Sequence, residues 1–319
     1  MQTQNSSTLK PPDDYIFQFA AASSQGTESN PIYFAARTSG LFCSRDGGQT
    51  WESAYATLNA NERLPTTSVA IVPNFERERT VFAGLNGAIL RSHDGGTNWQ
   101  PSRLPSPPPA ISALAVSPAY AEDGIVFAGT NEDGVLVSND RGRNWTAWNF
   151  GLLDLNILCL GISPDFATDE TLFAGTESGL FRSTNGGRAW KEVLLPIGFD
   201  AILSLAFLPN FAQNGTLFVG TENKGLLLSR DGGKSWQHLT ETISAAPVNQ
   251  ILLSPFAPSG EIFILHGGEL QVSKDAGKTW KPWNVRRLGD KIITAALALN
   301  IPAGSMLIGF EDGRIFRVS

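Results

Sequence analysis

Several residue types on which protein chemistry often depends are scarce in this chain. There are 2 cysteines, 2 methionines, 3 histidines and 4 tyrosines among 319 residues. Cys43 and Cys159 sit in separate apolar runs, too far apart in the sequence pattern to suggest pairing. That excludes a disulfide framework and a Cys-rich zinc site, and both read as small core residues. His93, His238 and His266 occur singly, with no metal-ligand spacing. No glycine-rich phosphate loop runs from a strand into a helix, and no helix is expected at all. No metal and no cofactor is therefore anticipated. No apolar run reaches the ~18 residues of a membrane-spanning helix. Met1–Asp14 is polar, ends in Pro11-Pro12-Asp13-Asp14 and has no apolar core, so it does not read as a signal peptide. These features favour a cytoplasmic location, although an exported chain stripped of its signal would look the same. Basic runs are missing too: 24 Lys+Arg against 30 Asp+Glu give a net charge of −6, a poor match for nucleic acid.

Glycine (32) and proline (19) are plentiful, and 42% of the residues are hydrophobic. Charged residues, at 17%, fall below the usual ~25%. That balance suits short buried strands joined by tight turns. An eight-residue signature, Ser44-Arg45-Asp46-Gly47-Gly48-Gln49-Thr50-Trp51, recurs from Ser92, Ser138, Ser183, Ser229 and Ser273. The serines are 48, 46, 45, 46 and 44 residues apart, the mark of a repeat architecture. Within one unit, Ile157–Ile162, Thr171–Thr176, Leu180–Ser183 and Ala189–Val193 read as four strands separated by Pro, Gly, Asn and Asp turns.

Units of this kind begin near residues 15, 68, 111, 157, 202, 248 and 292. A four-stranded sheet with two apolar faces cannot stand alone, and packing several around an axis buries both faces. The expected fold is all-β, a seven-bladed β-propeller of four-stranded antiparallel blades spanning residues 15–319. The seventh unit stops where its signature would start, so its fourth strand is missing. Residues 1–14 offer a substitute, because Ser7-Thr8-Leu9-Lys10-Pro11 reads like Lys278-Thr279-Trp280-Lys281-Pro282. The segment near Ser6 to Lys10 is expected to complete the last blade and close the ring.

The signature Ser-x-Asp-x-Gly-x-Thr-Trp resembles the Asp-box, or BNR repeat, of sialidases, xyloglucanases, sortilin-type receptors and photosystem II assembly factors of the Ycf48 type. The resemblance covers nearly the whole chain. It implies the propeller fold and leaves function open, because enzymes, receptors and assembly factors share the repeat. Its residues read as structural: Asp46, Asp94, Asp140, Asn185, Asp231 and Asp275 hold the turn by accepting backbone N–H groups. Trp51, Trp99, Trp145, Trp190, Trp236 and Trp280 pack between blades. Asn185 in place of Asp, and Ala276 in place of the first Gly, look like tolerated drift. The aromatic of Pro73-Asn74-Phe75, Pro118-Ala119-Tyr120, Pro164-Asp165-Phe166 and Pro209-Asn210-Phe211 also reads as inter-blade packing.

Catalysis finds little support. Sialidases resemble one another in a Phe-Arg-Ile-Pro segment, an arginine triad and a Tyr/Glu nucleophile pair. Phe-Arg-Ile-Pro is absent, Tyr33 and Tyr120 occupy repeated positions, and sialidase propellers have six blades. Xyloglucanase-type hydrolysis uses two carboxylates across a cleft between two propellers, and this chain provides one propeller. No catalytic residue is assigned.

The expected function is instead non-enzymatic binding of a protein partner, as a scaffold, adaptor or assembly factor. A monomeric propeller is the default state. The alternative is a carbohydrate-binding or glycoside-hydrolase propeller. By single-propeller size the resemblance is nearest to the Ycf48-type factors, whose basic arginine patch is reduced here to Arg286-Arg287. Loops joining strand two to three, and one blade to the next, share the face opposite the Asp-boxes and vary most. Candidate partner-binding residues there are the acidic Glu132, Asp133, Glu177, Glu222, Glu311 and Asp312. The large side chains of the inter-blade loops, Trp148, Phe150, Phe199, Trp283, Arg286 and Arg287, join them. An acidic rim would favour a cationic partner.

Overall fold

The computed structural model describes residues 14–22, 31–58, 62–208, 211–239, 246–253, 261–283, 292–299 and 305–318. Within them the chain forms a seven-bladed β-propeller of antiparallel meanders, each strand paired with the next in sequence. The innermost strands are Ile16–Ala22, Thr66–Ile71, Ile111–Val116, Ile157–Ile162, Ile202–Phe207, Val248–Leu253 and Ile293–Ala298. Six sheets have four strands; the last has three, Ile293–Ala298, Met306–Phe310 and Ile315–Val318. The proposed completing segment near Ser6 to Lys10 lies outside the described residues.

The second strands make the core. Val81–Leu85, Val126–Thr130, Leu172–Thr176 and Thr216–Thr221 are buried at every position. Their repeated glycine answers a steric demand rather than a conformational one. A Cβ on Gly175 would sit 2.5 Å from Cys159 Sγ and 2.8 Å from both Cγ2 and the carbonyl oxygen of Ile202 in the next blade. Blades approach so closely there that only hydrogen fits.

The Asp-box turns form the second seam. Gly96 has φ +83°, and its Cβ would lie 2.6 Å from Phe34 Cε1 of the preceding blade, so the position needs glycine for both conformation and space. The same contact closes the ring. A Cβ on Gly48 would lie 3.0 Å from Leu307 Cδ2 in blade seven, and Arg317 Nη1 donates to the Gly47 carbonyl at 3.0 Å. Ile16, Phe19 and Ala35 of blade one share a buried cluster with Ala295 of blade seven.

One feature departs from the sequence reading, which allowed no helix. Single-turn helices at Phe75–Glu78, Tyr120–Asp123, Phe166–Asp169 and Phe211–Asn214 link first and second strands. Four residues are too few to show a helical period. Each opens on a buried aromatic. Tyr120 meets Phe82 of the preceding blade edge-on at 6.1 Å, and Phe166 meets Phe127 at 5.8 Å.

Candidate functional site: the loop face

On the Asp-box face the signature serines and their Asp or Asn partners are occupied. Asp231 Oδ1 accepts the N–H groups of Lys234 (3.0 Å) and Ser235 (2.9 Å), and Oδ2 accepts the Ser235 hydroxyl at 2.6 Å. Ser229 Oγ donates to Asp231 at 2.9 Å and accepts Gly233 N–H at 2.8 Å. The Ser235 hydroxyl and N–H lead the causes that hold the Asp231 carboxyl down at about 2. Trp99 Nε1 donates to the Ala54 carbonyl at 2.9 Å, and Trp190 Nε1 to that of Trp148 at 2.8 Å, each joining two blades. Groups so engaged have little left for a ligand.

The opposite face is built by the loops that carry the chain from one blade to the next and by the turns between second and third strands. Three aspartates organise it. Asp14 Oδ1 accepts Ser39 N–H at 3.0 Å, Asp154 Oδ2 accepts Ser178 N–H at 2.8 Å, and Asp200 Oδ2 accepts Asn223 N–H at 3.0 Å. Each stands two or three residues before an inner strand and ties down a turn of the same blade. Sequence reasoning missed all three; the recurrence of Asp two or three residues before the strand start was the available signal. For Asp154, burial raises the carboxyl pKa, but hydrogen bonds from Ser178 and Asn156 outweigh it and lower the value.

The expected binding residues divide into four groups. Glu132, Asp133, Glu177, Glu222 and Glu311 are exposed on the turns, while Asp312 is half-buried and pairs with Arg314 at 2.9 Å. Phe150 and Phe199 project from their loops, each 80% exposed. Trp148 and Trp283 turn inward: the Arg188 guanidinium lies 5.7 Å from the Trp148 ring centre, and Trp283 meets Phe263 edge-on at 5.9 Å. Arg286 and Arg287 lie outside the described residues. Leu153 and Leu194, in the same two loops but absent from the expected set, are 80% and 87% exposed.

Phe150, Leu153, Leu194 and Phe199 concentrate around blade four, whereas Trp283 belongs to blade six and Glu311 and Asp312 to blade seven. The loop carrying Phe150 and Leu153 leads into the inner strand of blade four, and the loop carrying Leu194 and Phe199 leaves its outer strand. Glu177 is on that blade's own turn, with Glu132 and Asp133 on one neighbour and Glu222 on the other. The first loop is also fixed. Trp190 N–H donates to the Phe150 carbonyl at 2.8 Å, Gly134 N–H to Leu155 at 2.9 Å, and Asn149 Oδ1 accepts Val135 N–H at 2.9 Å. An exposed apolar ring on a pinned backbone is pre-organised for contact, because little ordering entropy remains to be lost.

Among the described residues no group of three His, Cys, Asp or Glu side chains could hold a metal ion, and no helix is long and apolar enough to cross a membrane. All four tyrosines have raised pKa values, in each case chiefly through burial; Tyr120 is pushed up to about 12.

The chain is a seven-bladed propeller whose sequence repeats an Asp-box-like signature six times. The family model of the photosystem II assembly factor YCF48 matches residues 27–150. No curated protein matches the chain. Among solved structures, YCF48 bound to D1 peptide is similar at 19% identity and a TM-score of 0.67, over 97% of this chain and 95% of that one. The GH74 xyloglucanase of Xanthomonas campestris is 16% identical with a TM-score of 0.75, over 96% of this chain and 52% of that one. The extracellular domain of BT4673 from B. thetaiotaomicron is 15% identical with a TM-score of 0.71, over 97% of this chain. This chain spans only 39% of that domain's length, and about half of the xyloglucanase. At these identities the likeness is one of fold.

Proposed function

We propose that this propeller is a non-catalytic scaffold that holds another protein against its loop face, over blades three to five. One observation carries the reading: Phe150, Leu153, Leu194 and Phe199 are each at least 80% exposed and gather around one blade. Exposed large hydrophobics set together, rather than scattered, mark interaction surfaces. Glu132, Asp133, Glu177 and Glu222 surround them, so a partner segment with apolar anchors and basic flanks is the complementary chemistry. The full-length likeness to YCF48, a protein captured in its structure with a peptide, supplies a precedent on the same fold.

The side chains give hydrolysis little purchase. A glycosidase acid needs a carboxyl with a raised pKa, and Asp154 on the loop face is displaced the other way. A tyrosine nucleophile needs a lowered one, and burial raises all four.

Affinity capture from native cell extract tests the proposal, with the parent chain beside a Phe150→Ser/Leu194→Ser/Phe199→Ser variant. A stoichiometric protein held by the parent and lost from an equally stable variant is the expected result. Hydrolysis of xyloglucan or another β-glucan by the purified chain, with no protein captured, would overturn it.

A further inference from the structure

The axis of the propeller holds an open-ended cavity of about 280 Å³ lined by the inner strands of blades one to six. Each of the seven inner strands carries a β-bulge just after its first residue. The residues skipped by the ladder are Phe17, Thr67, Ser112, Leu158, Leu203, Asn249 and, in blade seven, Thr294. The first six line the cavity. A bulge re-aims a side chain, and its repetition at one level builds a ring of side chains at the loop-face end of the axis.

The chemistry of that ring is specific. None of the seven inner strands contains a charged residue. An ion entering would give up hydration with no counter-charge to meet it, which disfavours anions, cations and metals alike. Hydrogen-bonding groups are nevertheless present. Asn249 is exposed. Gln18 and Gln250 commit their Oε1 atoms to the N–H groups of Val69 (2.9 Å) and Ala296 (2.8 Å) in the next blades, and each keeps an amide NH₂. Ser204 Oγ donates across the seam to Val248 O at 2.8 Å. At the matching seam Thr67 Oγ1 already holds Ile111 O at 2.6 Å, and the hydroxyl of Ser68, a residue 2% exposed on the cavity wall, is left without a partner. Rotation about one bond re-aims a serine hydroxyl. Phe17 adds an apolar ring, 38% exposed.

We infer that the axial cavity is a binding site for a small, uncharged, hydroxyl-rich molecule of monosaccharide or cyclic-polyol size. Amide and hydroxyl groups would meet its hydroxyls, while Phe17, Leu158 and Leu203 would meet its C–H faces. The cavity lies just below the ~300–1,000 Å³ of most ligand pockets, which sets the size limit. This site does not depend on protein docking at the apolar sector, and the two fail separately.

The test is saturation-transfer NMR and calorimetric titration of the full chain with D-glucose, D-galactose and myo-inositol, beside glucuronate and glucosamine as charged counterparts. The expected result is a neutral probe bound at about 10 mM or tighter, at least about tenfold more tightly than its charged counterparts. Asn249→Leu, at an exposed position, should weaken it about tenfold without moving the melting temperature. Asn249→Asp, which keeps the shape and adds a charge, should do the same if Asn249→Leu proves unstable. Phe150→Ser should leave it unchanged. Failure of every neutral probe to saturate, equal binding of the charged ones, or unaltered binding by both Asn249 variants would each overturn the assignment.

Discussion

Asn185 accepts the backbone N–H of Ala189 at 2.9 Å, and the two residues depart from the repeat together. In the other five Asp-boxes the residue at the position of Ala189 gives the aspartate's second oxygen a side-chain donor. Thr50, Ser235 and Thr279 do so by hydroxyl at 2.6 Å, Asn98 by amide at 2.7 Å and Asn144 at 2.5 Å. Ala189 has no such donor, so a second carboxylate oxygen at 185 would have only solvent. Asn185→Asp alone should therefore change stability little. Combined with Ala189→Thr it should gain about 1 kcal/mol or less beyond the sum of the single changes. Chemical denaturation of the four proteins measures this coupling, and strict additivity would contradict it.

Ala276 holds φ +58° where four of the other copies have glycine. Arg141 tolerates a similar φ of +63° with help from Glu78, paired at 2.7 Å, and from the Ala121 carbonyl at 2.6 Å. A methyl group supplies no such help. Ala276→Gly should raise the unfolding free energy by about 1 kcal/mol, the cost of a left-handed L-residue. An unchanged or lower melting temperature would argue against strain at this turn.

Gly175→Ala should cost about 1–3 kcal/mol by overpacking. Removing the sulfur with Cys159→Ala should recover only part of that, because the Ile202 carbonyl, 2.8 Å from the added methyl group, is backbone. Full rescue by the double variant would show that the seam is more compliant than its geometry indicates.

Stability should respond to acid in a defined window. Asp94, Asp140, Asp231 and Asp275 are held at about 2, below the ordinary 3.8. At Asp94 and Asp140 burial works against this and the turn hydrogen bonds outweigh it; at Asp231 and Asp275 hydroxyl donors lead. A depressed folded-state pKa gives stability that is complete above the unfolded value and lost as pH falls through the folded one. The urea midpoint should hold steady down to about pH 5 and fall between about 4 and 2. Asp231→Asn should flatten that fall; an unaltered slope would show that the Asp-box carboxylates do not drive it.

The repeat made the architecture legible, because spacing and turn residues report on every blade at once. Strand-two glycines were visible as Gly84, Gly129, Gly175 and Gly220, yet their purpose was not. A close approach between blades is a fact about partners distant in sequence, such as Ile202 for Gly175. The loop face was legible only in part. Composition alone cannot separate Trp148, packed beside Arg188, from Phe150 two residues later, whose ring faces solvent. Which of two neighbouring aromatics turns inward depends on backbone hydrogen bonds such as Trp190 to Phe150, and those cross from one blade to the next.

Amide hydrogen exchange of the captured complex, compared with the free chain, is the most direct test of protein binding at the loop face. Protection confined to the turns at 131–134, 177–179 and 222–225 and the loops at 148–156 and 194–201 is the predicted result. Protection centred on the Asp-box turns, with those five segments unchanged, would contradict it.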